Sequence, residues 1–299
     1  MPDFAANLST MFTELPFLER FGAAARCGFD AVELATPYAV PKEAVARELR
    51  EHELALVVFD LPSGRGEEAE RGIACHPDRV AEFRAGTGAA IAYAAAVNCR
   101  FLNCRAGTVP DGVAGETAQR TLIENLRFAA RLGMLAGITI LVEPVDRATL
   151  PGSVLHRTAD AVALLDAVGA RNLSLLCDVY HMHRMGENAT AVIARHLARI
   201  GHIQIAGCPG RAEPIGGSID YDALFALIDR LGHRGWVGCE YVPDGDTEAG
   251  LAWMARHKVL TPRTPCRWGI PLSALRRPDA PVAAASRLAG AQPTLTEAL

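Results

Sequence analysis

Apolar residues in this chain fall into short runs, and amphipathic stretches separate one run from the next as far as about position 257. The runs at 4–8, 31–34, 54–59, 100–104, 138–142, 172–178, 201–204 and 236–240 have the length and bounds of buried strands. Between them apolar residues recur at helical spacing, as with Leu15, Leu18, Phe21 and Ala25, and Gly28 follows as a helix stop. The spacing predicts helices over 15–27, 42–52, 80–97, 116–135, 189–199, 220–231 and 247–257. Strict alternation predicts a parallel sheet, and eight units predict one closed (β/α)8 barrel over residues 1–259 rather than an open doubly wound sheet. No GxGxxG follows the first strand, which weakens a dinucleotide-binding reading.

Two segments depart from this rhythm. The stretch 61–79 is rich in Gly, Pro and charge, and a loop of that length is either a functional lid or a solvated excursion. Beyond residue 260 Pro, Ala and Arg dominate and the periodicity is lost. The tail, 260–299, is therefore expected to be disordered or loosely packed, with a dimerisation arm as the functional alternative.

Chemistry concentrates where the strands end. The run Leu173 to Cys177 stops on Asp178, and Tyr180, His181 and His183 follow at once. The run Ile138 to Val142 ends on Glu143, Gly201 to Ile203 on Gln204, and Trp236 to Cys239 on Glu240. In a parallel α/β sheet the C-terminal strand ends carry the ligand-binding loops. A carboxylate there equally serves as the cap of a following helix. Four independent caps would not need to converge, however, and Glu is not a favoured cap. Four side-chain oxygens on successive strands instead suit a divalent cation, Mg2+ or Mn2+. His181 is close enough to Asp178 to reach a substrate oxygen, whereas His183 reads as a packing or surface residue. Arg211, in the loop after Gln204, is placed to hold a substrate oxygen or carboxylate, or else to pair with Glu213. Arg71 and Arg105 are further cations on the same rim.

Composition narrows the classes. A formal net charge of -4 disfavours a partner such as nucleic acid, though a local basic groove remains compatible with it. No segment has the length and apolarity of a membrane span, and the start lacks a signal-like core, so a cytoplasmic enzyme is expected. The 8 cysteines are scattered without a CxxC pair and read as reduced, mostly buried thiols.

Phe4-Ala5-Ala6-Asn7-Leu8-Ser9, Glu70-Arg71-Gly72-Ile73-Ala74, Leu141-Val142-Glu143-Pro144, Asp178-Val179-Tyr180-His181-Met182 and Gly235-Trp236-Val237-Gly238-Cys239-Glu240-Tyr241 together resemble the hydroxypyruvate isomerase family, a branch of the xylose-isomerase-like TIM barrels. The resemblance runs from about Asp3 to Met254. It implies a divalent metal at Glu143, Asp178, Gln204 and Glu240, with Glu143 and Glu240 doubling as the acid–base pair and His181 and Arg211 contacting substrate. It also implies a small hydroxy-keto acid as substrate, and a homo-oligomer remains open. The chain departs from the family pattern at Glu213-Pro214-Ile215-Gly216-Gly217-Ser218-Ile219 and at Leu61-Pro62-Ser63-Gly64-Arg65-Gly66, changes that bear on substrate choice. The neighbouring 2-oxo-tetronate isomerases are the nearest alternative, and a non-catalytic sugar- or metabolite-binding barrel is the alternative of another class. Endonuclease IV relatives of the same fold use several metals and many histidines, which this rim lacks.

Overall fold

The computed structural model describes residues 2–64 and 71–256. The expected tail at 260–299 and the middle of the 61–79 loop lie outside the described residues. Nine parallel strand segments run β1 (Asp3–Asn7), β2 (Ala31–Glu33), β3 (Ala55–Leu56), β4 (Val58–Asp60), β5 (Phe101–Cys104), β6 (Thr139–Val142), β7 (Leu173–Asp178), β8 (Ile200–Ile205) and β9 (Trp236–Cys239). They are ordered β3-β2-β1-β9-β8-β7-β6-β5-β4, and β1 pairs with β9 with Ala5 opposite Gly238. Only Val57 separates β3 from β4. Leu34 N donates to Val58 O at 3.1 Å and Asp60 N to Ala35 O at 2.8 Å, so β2 also meets β4 and the ring closes. Counting β3 and β4 as one interrupted strand gives the eight-stranded barrel that the alternation predicts.

Helices α1 (Glu19–Arg26), α2 (Lys42–Glu51), α3 (Val80–Val97), α4 (Gly115–Leu135), α5 (Thr158–Val168), α6 (Val179–Arg184), α7 (Ala189–His196), α8 (Tyr221–Arg230) and α9 (Thr247–Gly250) follow in order. Helix α1 starts four residues later than the spacing predicts. The segment before it is spent on turns, with Leu15 N donating to Phe12 O and Glu19 N to Pro16 O. Helices α5 and α6 were not delimited by periodicity. The short α6 exists because Asp178 caps it, its Oδ1 accepting from Tyr180 N at 2.8 Å. Among the described residues no helix is long and apolar enough to cross a membrane.

Side chains two apart on a strand share a face, and that period sorts the barrel into two layers. Ala5, Ala31, Val58, Leu141 and Leu176 form a small buried cluster of their own, with Phe101 and Trp236 packed against it. It is separate from the larger core, in which Phe4, Ala6, Val32, Phe59, Leu102, Ile140 and Leu175 take part. The small cluster therefore fills the lumen, and the larger one lies between strands and helices. Two residues further along each lumen-facing series stand Asn7, Glu33, Asp60, Asn103, Glu143 and Asp178, with Gln204 paired to Asp178 and Glu240 beyond Gly238. An apolar plug thus sits beneath a polar tier at the C-terminal end of the barrel.

Gly238 makes room in that tier. A Cβ there would lie 1.9 Å from Glu33 Oε1, a buried carboxylate that cannot retreat into an already filled lumen. Gly238→Ala is therefore expected to destabilise the protein by about 1–3 kcal/mol, the usual cost of overpacking. Gly88, in α3, has nothing within 4 Å of its missing Cβ, so Gly88→Ala should be neutral or stabilising by up to about 1 kcal/mol. Chemical denaturation of both variants beside the parent checks the pair. Equal effects would contradict the packing argument.

Candidate active site at the C-terminal end of the barrel

Asp178 ends β7 and serves as the cap of α6 while keeping one oxygen for the rim. One oxygen caps α6, and the other, Oδ2, accepts from Arg211 Nη2 at 3.1 Å. The same Nη2 donates to Glu240 Oε2 at 2.8 Å, so one guanidinium bridges two of the four expected oxygen residues. Glu143, just past β6, accepts from Asn103 Nδ2 at 3.2 Å, and its other oxygen lies 3.8 Å from His181 Nε2. Glu143, Asp178 and His181 have ligand atoms within 4.8 Å of one another.

Gln204 sits between Asp178 and Gly238 in the sheet register. Its Nε2 donates to Glu33 Oε2 at 2.8 Å, which fixes the amide orientation, because a carboxylate needs a donor opposite it. Gln204 Oε1 is left buried without a hydrogen-bond donor. Glu33 is fully buried and its Oε1 is also bonded to His202 Nε2. The residues of the tier therefore suit a divalent cation: the carboxylates of Glu143, Asp178 and Glu240 crowd one end of the barrel, and the buried amide oxygen of Gln204 lacks a partner.

His181 is held from behind. Its Nδ1 bonds Asp146 Oδ2 at 2.7 Å, and Asp146 also accepts from Thr149 and Arg184. Burial alone would raise the Asp146 carboxyl, but the bonds from Thr149 and His181 outweigh it and hold it well below the usual carboxylate range. An ionised Asp146 accepts from the ring N–H at Nδ1, which orients the ring so that Nε2 faces Asp178 Oδ2, 3.4 Å away.

Arg211 reaches the carboxylates from a loop folded tightly on itself. Arg211 N donates to Gly207 O at 2.9 Å, and a Cβ on Gly207 would lie 2.2 Å from Glu213 O. Arg211 adopts a left-handed φ of 56°, a conformation that costs a non-glycine residue free energy. Its guanidinium lies 5.2 Å from the centre of the Tyr180 ring. The alternative pairing with Glu213 does not form; Glu213 instead accepts from Asp244 N at 3.2 Å. His183 lies aside, bonded to Ser218 Oγ at 2.8 Å.

The six residues singled out from the sequence thus gather at one end of the barrel. Glu143, His181, Arg211 and Glu240 line a cavity of about 530 Å³, together with Arg71, Arg105 and Ser63. Asp178 and Gln204 lie buried beside it. Sequence reasoning passed over Glu33, Asp60, Asn103, Asp146 and His202. Four of these, all but Asp146, sit on strands in the same lumen-facing series as the recognised residues, so the signal was present in the first half of the chain too.

Acid outweighs base in this tier. Asp60 is paired with Arg105 at 2.7 Å, whereas Glu143 accepts from a neutral amide. Burial, then repulsion from Glu240, raises Glu143 to about 8. Burial likewise raises Glu240 to about 8, against the pull of Arg211.

The chain belongs to the xylose isomerase-like TIM-barrel family, whose model matches residues 21–257. It is 45% identical over 251 residues to hydroxypyruvate isomerase of Escherichia coli K12, covering 84% of this chain and 97% of that protein. It is 41% identical to 2-oxo-tetronate isomerase of Cupriavidus necator, covering 85% of this chain and 98% of that protein. A crystal structure from Brucella melitensis, described as an AP endonuclease of family 2, superposes with a TM-score of 0.83 at 42% identity, over 87% of this chain and all of that one.

Metal-free protein should reveal the crowded carboxylates through its stability. Groups raised from 4.5 to about 8 bind more protons folded than unfolded in that interval. Stability is therefore greatest below about pH 4.5 as far as this pair is concerned, and falls as pH rises toward 8. Thermal melts of metal-free protein between pH 5 and 8 should show that decline. Glu143→Gln and saturating Mg2+ or Mn2+ should each flatten it. A parent whose slope neither change alters would contradict the assignment.

Proposed function

We propose that this protein is a hydroxypyruvate isomerase, interconverting hydroxypyruvate and 2-hydroxy-3-oxopropanoate by proton transfer through an enediolate. The observation that carries the reading is the pairing of Glu143 and Glu240, two glutamates with raised proton affinity, on one cavity with His181 and Arg211. The relation to the Escherichia coli isomerase supports it. Glu143, Asp178, Gln204 and Glu240 would hold a divalent cation, Mg2+ or Mn2+. When bound, that cation supplies Lewis-acid stabilisation of negative charge developing on the two substrate oxygens.

The protein's own groups move the protons. An ionised glutamate of the pair takes a proton from C3 of hydroxypyruvate, and a protonated glutamate delivers one to C2. The O3 hydroxyl proton is lost and O2 gains one, so the product is an isomer. A pair whose proton affinity lies near neutrality suits both halves of this task. His181, its ring held from behind by Asp146, presents Nε2 to a substrate oxygen. Arg211 contacts a substrate oxygen at the same end of the cavity and keeps Asp178 and Glu240 in place.

The neighbouring reading, an isomerase of four-carbon 2-oxo-tetronates, is favoured by the Cupriavidus relative, which is nearly as similar. The Brucella name would call for a polyanionic substrate, whereas this rim is dominated by carboxylates. A non-catalytic sugar- or metabolite-binding barrel would not need two titratable glutamates, Glu143 and Glu240, on one cavity.

Glu143→Gln and Glu240→Gln each keep an oxygen for the cation and remove the titratable group. Each should lower kcat on the order of 10²–10⁴-fold, with metal content retained. The parent should prefer hydroxypyruvate to 2-oxo-tetronates in kcat/KM. A four-carbon preference would move the protein to the neighbouring activity, and normal turnover in both Gln variants would reject the acid–base assignment.

A further inference from the structure

Three arginines line the cavity, and two are already committed. Arg105 Nε donates to Asp60 at 2.7 Å, and Arg211 bridges Asp178 and Glu240. Arg71 makes no ion pair among the described residues. A hydroxy-keto acid entering this cavity carries a carboxylate toward a rim of buried acids, so it needs a cation whose charge is not already cancelled. Ser63 lines the same cavity, is buried, and its Oγ has no hydrogen-bond partner. A buried hydroxyl without a partner is unfavourable unless a ligand completes it.

The backbone beneath Arg71 is fixed. Gly72 has φ 95°, and a Cβ there would lie 2.5 Å from Arg105 O. Gly107 returns the contact, its missing Cβ lying 2.6 Å from Gly72 O. Two residues on, the chain is stitched down by Asn125 Nδ2 to Ala74 O at 2.9 Å and by Cys75 N to Ala106 O at 3.1 Å. Arg71 therefore springs from a root clamped against the segment that carries Arg105, at the edge of the cavity. The sequence motif around it was left without a role by the metal and acid–base groups.

We infer that Arg71, with Ser63, is the subsite for the substrate's carboxylate, and so decides between acidic and neutral substrates. The inference rests on the proposed isomerase activity and deepens it. In this division Arg211 serves the reacting oxygens and Arg71 the carboxylate at the other end of the same small molecule.

Steady-state kinetics on hydroxypyruvate and on dihydroxyacetone, its neutral three-carbon counterpart, test this. Arg71→Met should raise KM for hydroxypyruvate roughly ten- to a hundredfold, the weight of one charge-assisted hydrogen bond, with a smaller change on dihydroxyacetone. Arg71→Lys should recover part of the loss, and Ser63→Ala should raise KM for the acid severalfold. Arg71 is exposed, so the two Arg71 variants should melt with the parent. An enzyme that prefers the acid, yet keeps its KM for the acid in Arg71→Met, would overturn the inference alone. A parent that prefers neutral ketoses would remove the underlying reading, and this inference with it.

Discussion

The structure depends on keeping several carboxylates together, out of water, at the end of a filled barrel. Two such charges 5 Å apart repel by about 3 kcal/mol at an effective dielectric constant of 20, more than a typical hydrogen bond returns. All the acids of the tier but one are therefore answered locally. Asp60 has Arg105, Glu33 has His202 and Gln204, and Asp178 shares Arg211 with Glu240. Glu143 is the exception, met by a neutral amide and a distant histidine. Burial raises the proton affinity of Glu143 and Glu240 toward neutrality, the range that the proposed acid–base role needs.

Other features follow from that constraint. Gly238 lacks a side chain because Glu33 occupies its space. The loop carrying Arg211 doubles back at Gly207, and Arg211 itself takes a left-handed conformation, so that one guanidinium reaches two carboxylates. Asp146 spends its negative charge on His181 and Arg184 rather than on the cavity. The apolar lumen below, with Ala5, Ala31 and Leu141, excludes water and sharpens every one of these interactions.

The fold was largely legible in the sequence, because parallel strands buried on both faces leave near-continuous apolar runs that short helices separate. The rim was half legible. Glu143, Asp178, Gln204 and Glu240 stood out as oxygen side chains closing runs in the second half of the chain. In the first half Glu33 and Asn103 lie inside short runs, before Leu34 and Cys104, and Asp60 follows a run whose strands β3 and β4 are broken at Val57, so none of the three stood out. Asp146 was illegible for another reason: it lies in a loop, and its partner His181 is 35 positions away. The bridge from Arg211 to Asp178 and Glu240 likewise depends on the path of a loop, which periodicity does not encode. Helix α5 was missed because no charged face alternates clearly with its apolar one.

The role proposed for this rim is to move a proton between adjacent carbons of a hydroxy-keto acid. Its most direct test is conversion of hydroxypyruvate in D2O by the Mg2+- or Mn2+-loaded protein, with the isotope followed by NMR against an enzyme-free control. Solvent deuterium is expected at C2 of 2-hydroxy-3-oxopropanoate, and at C3 of recovered hydroxypyruvate, because the proton passes through a carboxylate that exchanges with solvent. Product formed without solvent deuterium, together with complete transfer of a C3 label to C2, would contradict it.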